Sequence, residues 1–520
     1  MASTTRPREN PDPTSGTNPF EAAYRALFDA FDDDGSQTLS RAELVRNLRA
    51  TGILEDDPRI QGILDATQDG DGDGEREMGF PEFVALIQHH SGLLQRAMQN
   101  SLIVPDFPSL TEEIDRIHHD LLPVRDGRVA DCIPQLARID PEQLAISLCT
   151  VDGQRHSVGD VDVPFCVRSV STTVSYCMAL EEHGVDVAHR HIGREPSGQS
   201  FLIRPELSLA DRFDHVTQTW QRLAGGRRVG FNNSVYLSER QTADRNVALG
   251  HSTREGNAFP PGTDPLQALE FHFQCCSIEL DARMLAVVAA TFANGGVCPL
   301  TGDRVFSRET VQHCLSLMSS CGMYDFSGEF ASTIGLPAKS GASGALMVVV
   351  PGLMGICVWS PRLDELGNSV RGIEFCRQLV KKFEVRPHAS VTRASRRKDP
   401  RKRRDQSSVE SVVALCWAAS QGDLDEVRRL ASAGADISTG DYDGRTPLHL
   451  AAAEGHVEVT GYLLAHGADP AATDRWGGTA LTDAQRGGHT RVAELLGPHT
   501  AVPCRKATGA DTRSTAASAK

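Results

Sequence analysis

The chain has 520 residues, of which 53 are Lys or Arg and 68 are Asp or Glu, so its formal net charge is -15. At about 100–200 residues per domain this length predicts three or more domains, and a hydrophobic content of 40% excludes a wholly disordered or fibrous chain. The acidic balance argues against nucleic acid as a partner, and no apolar run is long enough to predict a membrane helix. The 13 cysteines show no Cys-x-x-Cys spacing, which is typical of a reduced, intracellular protein.

The first segment, residues 20–90, consists of apolar helical stretches interrupted by two acidic, glycine-bearing loops. The first loop spaces its oxygen atoms like an EF-hand calcium loop, which a bidentate carboxylate closes at position twelve. Its candidate ligands at positions one, three, five, seven and twelve are Asp32, Asp34, Ser36, the Thr38 carbonyl and Glu43. Gln37 stands where glycine usually makes the sharp turn. The sequence therefore predicts an α-helical EF-hand pair with a candidate Ca²⁺ site.

The second acidic loop allows two frames. The frame that starts at Asp69 puts Phe80 at position twelve, whereas the frame that starts at Asp71 puts Met78 at eight and Glu82 at twelve. We prefer the second frame because both the apolar eighth position and the closing carboxylate then match. Its candidate ligands are Asp71, Asp73, Glu75 and Glu82. The alternative is a degenerate pair that keeps the helices and binds no metal.

The central segment, residues 115–385, mixes helical patterns with short apolar β-type runs such as 346–351, which predicts an α/β (α+β) domain. Several motifs follow one another along this segment: Val163-Pro-Phe-Cys166, Gly193-Arg-Glu-Pro-Ser-Gly198, Ser238-Glu-Arg240, Asp244-Arg-Asn246, Asn294-Gly-Gly296, Cys321-Gly-Met-Tyr-Asp-Phe-Ser-Gly328 and Gly335-Leu-Pro-Ala-Lys-Ser-Gly341. In this order they resemble the motifs of glutaminases, which are serine-dependent amidohydrolases with a β-lactamase-like fold. The resemblance implies hydrolysis of L-glutamine without a catalytic cofactor.

Amide hydrolysis needs a nucleophile, a base, and donors for the tetrahedral oxyanion. The resemblance implies that Ser169 is the nucleophile, that Tyr324 lies beside it, and that Glu239 and Asn246 bind the substrate. It also implies an oxyanion hole made by the N–H groups of Ser169 and Ala342. Lys339 occupies a strand motif of the wider superfamily. We therefore predict Ser169, Tyr324 and Lys339 as catalytic residues.

Four departures from the family pattern concern the same site. The lysine expected three residues after Ser169 is Thr172, and a threonine hydroxyl is no base near neutral pH. Cys132 and His272 replace two substrate-site tyrosines, and the segment before residue 213 is short and lacks a binding asparagine. Lysine is scarce and first occurs at Lys339. His272 and Lys339 are the candidates for the missing base, and a packed, inert His272 is the alternative.

The last segments are a basic stretch and a repeat array. Residues 386–408 have many arginines and few apolar side chains, which predicts an exposed linker. Over 409–498 the hexapeptide at 446–451 recurs in weaker form at 479–484, and this 33-residue period predicts three all-α ankyrin repeats that bind an unknown protein. Residues 499–520 are predicted to be a disordered tail.

Three interpretations of the whole multidomain chain remain open at this point. It is an active glutaminase; or a catalytically impaired glutaminase-like scaffold regulated by calcium and ankyrin-mediated binding; or an imperfect gene translation that lost a segment near 167–212. The animal-type layout also implies a homotetramer. The N-terminus does not decide between a cytoplasmic and a mitochondrial location.

Overall fold

The computed structural model describes residues 24–25, 28–29, 31–66, 77–89, 93, 96–97, 101–191, 207–255, 259, 262–386, 398–402, 404–432 and 435–500. They fall into two compact units, one extending through residues 398–402 and one beginning at 404. None of the helices formed by these residues is long and apolar enough to cross a membrane.

The N-terminal part of the first unit has the helix–loop–helix pattern of an EF-hand. Its helices are α1 (Arg41–Ala50), α2 (Gln61–Ala66) and α3 (Phe80–His89), and its strands are β1 (Thr38–Leu39) and β2 (Met78–Gly79). Helix α1 begins at Ser40, whose side chain and that of Glu43 form a capping box. The two strands pair antiparallel with Leu39 opposite Met78, the eighth positions of the two loops in the frame that starts at Asp71.

This EF-hand part is fixed to the central sheet of the same unit by hydrogen bonds to one hairpin. The Gln154 amide donates to the backbone oxygens of Thr51 at 2.9 Å and Val104 at 3.0 Å. Arg59 donates to the Asp152 carbonyl at 2.8 Å. The end of helix α1 is therefore joined directly to the strands of the central domain.

The central domain is built on a five-stranded antiparallel sheet in the order β4-β3-β10-β9-β8. Its strands are β3 (Ala145–Thr150), β4 (Arg155–Gly159), β8 (Ala338–Ser340), β9 (Ala345–Val350) and β10 (Met354–Trp359). All residues of β3, β9 and β10 are buried, because helices cover both faces of the sheet. These strands consequently have continuous apolar sequences.

Alternate residues of the sheet belong to two separate cores, as the two-residue period of a strand requires. One face packs on helix α11 (Ala282–Ala293) and carries Ala145, Cys149, Met347, Val349, Cys357 and Trp359. The other face packs on α4 (Phe107–Leu121) and α14 (Val370–Lys382) and carries Ile146, Leu148, Leu346, Val348, Ile356 and Val358. At Gly355 a Cβ would lie 2.0 Å from the Ala290 nitrogen, so α11 can approach β10 only over a glycine.

The helices of this domain lie around the sheet and beside a second, small one. They are α4 (Phe107–Leu121), α5 (Ser171–His183), α6 (Val185–His191), α7 (Leu209–Leu223), α8 (Asn233–Gln241), α9 (Asp244–Glu255), α10 (Pro265–Cys276), α11 (Ala282–Ala293), α12 (Arg308–Cys321), α13 (Ser327–Thr333) and α14 (Val370–Lys382). The small sheet has the order β5-β7-β6, from β5 (Phe165–Cys166), β6 (Gly230–Phe231) and β7 (Ile278–Leu280).

The second unit consists of paired helices. They are α15 (Arg404–Gln421), α16 (Leu424–Ser432), α17 (Pro447–Ala453), α18 (Val457–Ala465), α19 (Ala480–Arg486) and α20 (Thr490–Thr500). Repeats contact one another at a constant spacing, since His456 bonds the Ser420 oxygen and His489 bonds the Ala453 oxygen, each at 2.9 Å. Helix α15 begins inside the segment predicted as linker; residues 387–397 and 403 of that segment lie outside the described residues, as do 501–520 of the predicted tail.

Candidate functional site

The candidate nucleophile lies where the small sheet gives way to helix α5. Ser169 is half-buried in a short 3₁₀ turn, Arg168–Val170, that separates β5 from α5. The sequence predicted a serine that begins the helix, but the helix itself starts two residues later, at Ser171. Thr172 lies in its first turn and its hydroxyl donates to the Ser169 carbonyl at 2.7 Å. Thr172 therefore satisfies a backbone oxygen and provides no base.

One flank of Ser169, here called the strand side, is formed by Tyr324, Lys339, Ser340 and Ala342. The Tyr324 hydroxyl donates to the Ser340 carbonyl at 3.1 Å and lies near enough to Ser169 for that side chain to lower the pKa of Tyr324. The Lys339 ammonium donates to the same carbonyl at 3.0 Å and lies 4.7 Å from the centre of the Tyr324 ring. Two of the three residues predicted as catalytic, Tyr324 and Lys339, therefore donate to one backbone oxygen beside Ser169.

The strand side also shifts the pKa values of its two side chains. Burial lowers the pKa of the Lys339 ammonium to about 8, so a substantial fraction is neutral in mildly alkaline solution. Burial raises the pKa of Tyr324 above its usual value, although the hydrogen bond with Ser169 acts against this. Tyr324 consequently stays protonated near neutral pH and can donate.

The end of strand β8 reaches the turn that carries Ser169. A Cβ at Gly341 would lie 2.9 Å from the Val167 carbonyl, so only glycine allows this close approach of the two backbones. Ala342 follows directly and is half-buried. The two segments whose N–H groups were predicted to form an oxyanion hole are therefore neighbours in space.

The opposite flank, here called the helix side, consists of Arg168, Glu239, His272 and Cys276. The Arg168 guanidinium donates to both oxygens of the Glu239 carboxylate, at 2.5 and 2.7 Å. Only 9% and 8% of the two side chains are exposed. Arg168 adopts a positive φ of 51°, which is unfavourable for a residue with a side chain. Glu239, predicted to bind substrate, is thus already paired within the chain.

The rest of the helix side is a thiol–imidazole pair on helix α10. Cys276 Sγ lies 3.4 Å from His272 Nε2 and 3.8 Å from Ser171 Oγ. The charge of Cys276 raises the pKa of His272, while burial acts in the opposite direction. Burial by itself would raise the pKa of the Cys276 thiol, but His272 outweighs it, so this pKa lies below its usual value. His272 is therefore partnered by the Cys276 thiol, one turn along the same helix.

Two further predicted residues are less closely tied to this group. Cys132 is exposed, and its charge contributes to the raised pKa of Tyr324, so it lies near the strand side. Asn246 is half-buried in helix α9, and no contact within the described part of the chain connects it with the other predicted residues.

Arg168 and Cys276 were not predicted as site residues, although each leaves a signal in the sequence. Arg168 is a charged residue inside the apolar run from Val163 to Val170, and a charge in such a run needs a buried partner. Cys276 follows His272 by four residues, which places both on one face of a helix.

The first EF-hand loop brings carboxylates together in the arrangement a cation requires. Oxygens of Asp32, Asp34 and Glu43 all lie within 4.8 Å of one another. The Ser36 hydroxyl donates to the Thr38 carbonyl at 2.9 Å, so these two predicted ligands are also adjacent. This set of hard oxygen donors fits Ca²⁺. Gln37 adopts the positive φ, 65°, that glycine usually provides here.

The second loop is only partly described. Its predicted ligands Asp71, Asp73 and Glu75 lie outside the described residues. Glu82 is exposed, and its carboxylate accepts from the Gly79 nitrogen at 3.3 Å.

Family models match all three parts of the chain. The glutaminase model matches residues 127–203 and 202–387, the model for three ankyrin repeats matches 415–507, and an EF-hand domain model matches 24–105. The two pieces of the glutaminase match meet at 202–203, within the segment that the sequence shows to be short.

Individual relatives have the same layout over most of their length. The chain is 39% identical to putative glutaminase 2 of Caenorhabditis elegans over 84% of this chain and 79% of the relative. It is also 39% identical to the mitochondrial liver isoform of glutaminase from Rattus norvegicus, over 80% and 74%. A crystal structure of the protein Mglu superposes with a TM-score of 0.50 at 33% identity, covering 52% of this chain and 71% of Mglu. By the match to the family model and its identity to these relatives, the chain belongs to the glutaminase family.

Proposed function

We propose that the chain hydrolyses L-glutamine to L-glutamate and ammonia, with Ser169 as the nucleophile. The observation that carries this proposal is that Tyr324, which interacts with Ser169, shares the Ser340 carbonyl with Lys339. The identity to glutaminases over most of the chain supports the choice of glutamine as substrate.

In the proposed reaction the Ser169 oxygen attacks the side-chain amide carbon of glutamine. The N–H groups of Ser169 and Ala342 stabilise the oxyanion of the tetrahedral intermediate. Its collapse breaks the C–N bond, releases ammonia after protonation of the leaving nitrogen, and leaves an ester on Ser169. Water then attacks this ester and releases glutamate.

Lys339 is the base in this proposal, because Thr172 provides none. In its neutral form Lys339 accepts the Ser169 proton by way of the Tyr324 hydroxyl, since Tyr324 and Lys339 share the Ser340 carbonyl. Its lowered pKa of about 8 supports this role, since an ordinary lysine would be almost fully protonated in mildly alkaline solution. We expect slower catalysis than with a base adjacent to the serine, because the proton must pass through a second group.

The test is ammonia release from glutamine by the full chain, compared with Ser169→Ala. The substitution should lower the rate by at least ~10³-fold, as the loss of a nucleophile does in other serine hydrolases. Ser316→Ala, which changes an exposed serine of helix α12, is the matched control and should not alter the rate. An unchanged rate in Ser169→Ala would reject the serine mechanism.

We further propose that Ca²⁺ binds the first loop through Asp32, Asp34, Ser36, the Thr38 carbonyl and Glu43, and binds the second through Asp71, Asp73, Glu75 and Glu82. The clustering of three carboxylates in the first loop supports its part of the proposal. Calorimetry with millimolar calcium tests both loops. Glu43→Gln should remove the binding heat of the first, and the absence of heat in the unsubstituted chain would reject both.

We also propose that the ankyrin repeats bind a partner protein and that the chain forms homotetramers within the cell. The three stacked repeats support the first statement, since such arrays present extended binding surfaces. The described cysteines are all free thiols, which supports a reducing compartment. Light scattering of the purified chain would test the tetramer.

A further inference from the structure

The buried ion pair beside Ser169 bears on which ligands the pocket accepts. We propose that Arg168 occupies the place of the substrate's α-ammonium group on Glu239, and thereby shifts the pocket's preference toward carboxamides without that group. The inference rests on the proposed binding of glutamine beside Ser169. It assigns to Arg168 the role of a specificity-determining residue.

Charge complementarity defines the competition. Glutamine carries an α-ammonium and an α-carboxylate, and a carboxylate such as Glu239 can pair only with the ammonium. Both Glu239 oxygens already accept from the Arg168 guanidinium, at 2.5 and 2.7 Å. This bidentate ion pair is among the strongest side-chain contacts. An entering ammonium must displace the guanidinium or bind against its positive charge.

The Nε–H group of the same guanidinium indicates that the site favours a ligand of opposite charge. Arg168 Nε is buried, and the described residues offer it no hydrogen-bond acceptor. A buried donor without an acceptor is costly unless a ligand supplies one. The α-carboxylate of a substrate is such an acceptor, so Arg168 attracts the anionic end of a ligand and repels the cationic end.

The position of Arg168 in the chain strengthens this assignment. It directly precedes Ser169, and its φ of 51° shows that the fold holds it in an unfavourable backbone conformation. The buried ion pair with Glu239 holds the guanidinium in place, so it is not free to leave by rotation of an exposed side chain. Its ligand class is a carboxylate-bearing primary amide without an α-ammonium.

The experiment compares glutamine with glutaramate, the same five-carbon amide without the α-amine. Dissociation constants are measured by calorimetry on full-length chains that all carry Ser169→Ala, so turnover cannot interfere. In the chain with Arg168, glutaramate should bind at least as tightly as glutamine. Arg168→Gln should tighten glutamine binding by at least about tenfold and weaken glutaramate binding.

Two further variants separate charge from structure. Arg168→Lys keeps a cation beside Glu239 and should retain the preference for glutaramate. Arg168→Gln combined with Glu239→Gln removes both charges and should abolish the tighter glutamine binding of the single variant. If Arg168→Gln lowers the melting temperature, the double variant should regain part of the loss. Glutamine should also raise the melting temperature of the Arg168→Gln variant more than that of the chain with Arg168.

The outcomes distinguish this inference from the proposed hydrolysis. One outcome is that the dissociation constants of the two ligands shift in opposite directions, while no chain that retains Ser169 releases ammonia. This outcome would support the role of Arg168 and reject hydrolysis. If ammonia release depends on Ser169 but the two dissociation constants shift equally or not at all, the role of Arg168 is rejected and the proposed hydrolysis stands. Failure of every variant to bind either ligand would overturn the assignment of Arg168 as well.

Discussion

The strand side and the helix side flank the same serine, but their polar groups find partners in different ways. On the strand side, Tyr324 and Lys339 both donate to the backbone oxygen of Ser340. On the helix side, Arg168 pairs with Glu239 and His272 pairs with Cys276, so side chains satisfy one another. The first arrangement is fixed by a strand of the main sheet, whereas the second depends on which side chains the chain supplies.

This difference determines how each flank responds to substitution. A backbone carbonyl keeps its position whatever side chains surround it, so the strand side can retain its geometry after substitutions elsewhere. The helix side carries the His272 departure and the internal guanidinium, and each has acquired a buried partner. Buried charges must be paired, so the removal of one leaves its partner buried without a counter-charge.

The largest expected effect concerns the missing base next to the strand side. Thr172→Lys places an amine one helical turn from Ser169, where the family has its lysine. We expect ammonia release to rise by about 10²–10⁴-fold, the usual contribution of a positioned base. Thr172→Met, which has no amine, is the control and should give no gain. An absence of gain with lysine would show that the strand side has not kept a functional geometry.

The second prediction concerns the stability of the helix side. Glu239→Gln leaves the Arg168 guanidinium buried without its counter-charge, which should cost about 3–5 kcal/mol. Scanning calorimetry should show a lower melting temperature for the unit that contains the main sheet. Asp162→Asn is the control, because its ion pair with Arg283 is exposed on both sides and should cost less than about 1 kcal/mol. Equal losses in the two variants would contradict the internal pairing.

The third prediction uses pH to test the strand side. Lys339 can accept a proton only when neutral, and its pKa is lowered to about 8. Ammonia release should therefore fall about tenfold per pH unit below 8 and level off above it. Lys339→Arg stays protonated and should remove both the alkaline rise and most of the activity. An alkaline rise that persists in this variant would exclude Lys339 as the base.

The smallest expected effect is a titration shift on the helix side. Cys276→Ser removes the thiol whose charge raises the pKa of His272, so this pKa should fall. Histidine-selective carbon-13 NMR measures the change, and Cys275→Ser, one residue away, should leave the titration of His272 unaltered. A titration of His272 that is the same in both variants would show that the two groups are not coupled.

The fold was predictable from the sequence wherever its motifs are local. The ankyrin period, the EF-hand spacing and the glutaminase motifs lie within short stretches, and the family matches confirm all three parts. Segment boundaries were less predictable, because helix α15 starts inside the predicted linker at Arg404. Hydrophobic periodicity marks the interior of a helix better than its ends.

The sequence by itself determined the family and pointed to Ser169, Tyr324 and Lys339, because each stands within a motif of adjacent residues. It also showed, through the scarcity of lysine, that Thr172 leaves the helix motif without a base. Only the tertiary structure decided that Arg168 pairs with Glu239, 71 residues away, and that Lys339 and Tyr324 share the Ser340 carbonyl. Such contacts depend on which segments the sheets and helices bring together in space, and no local pattern records that.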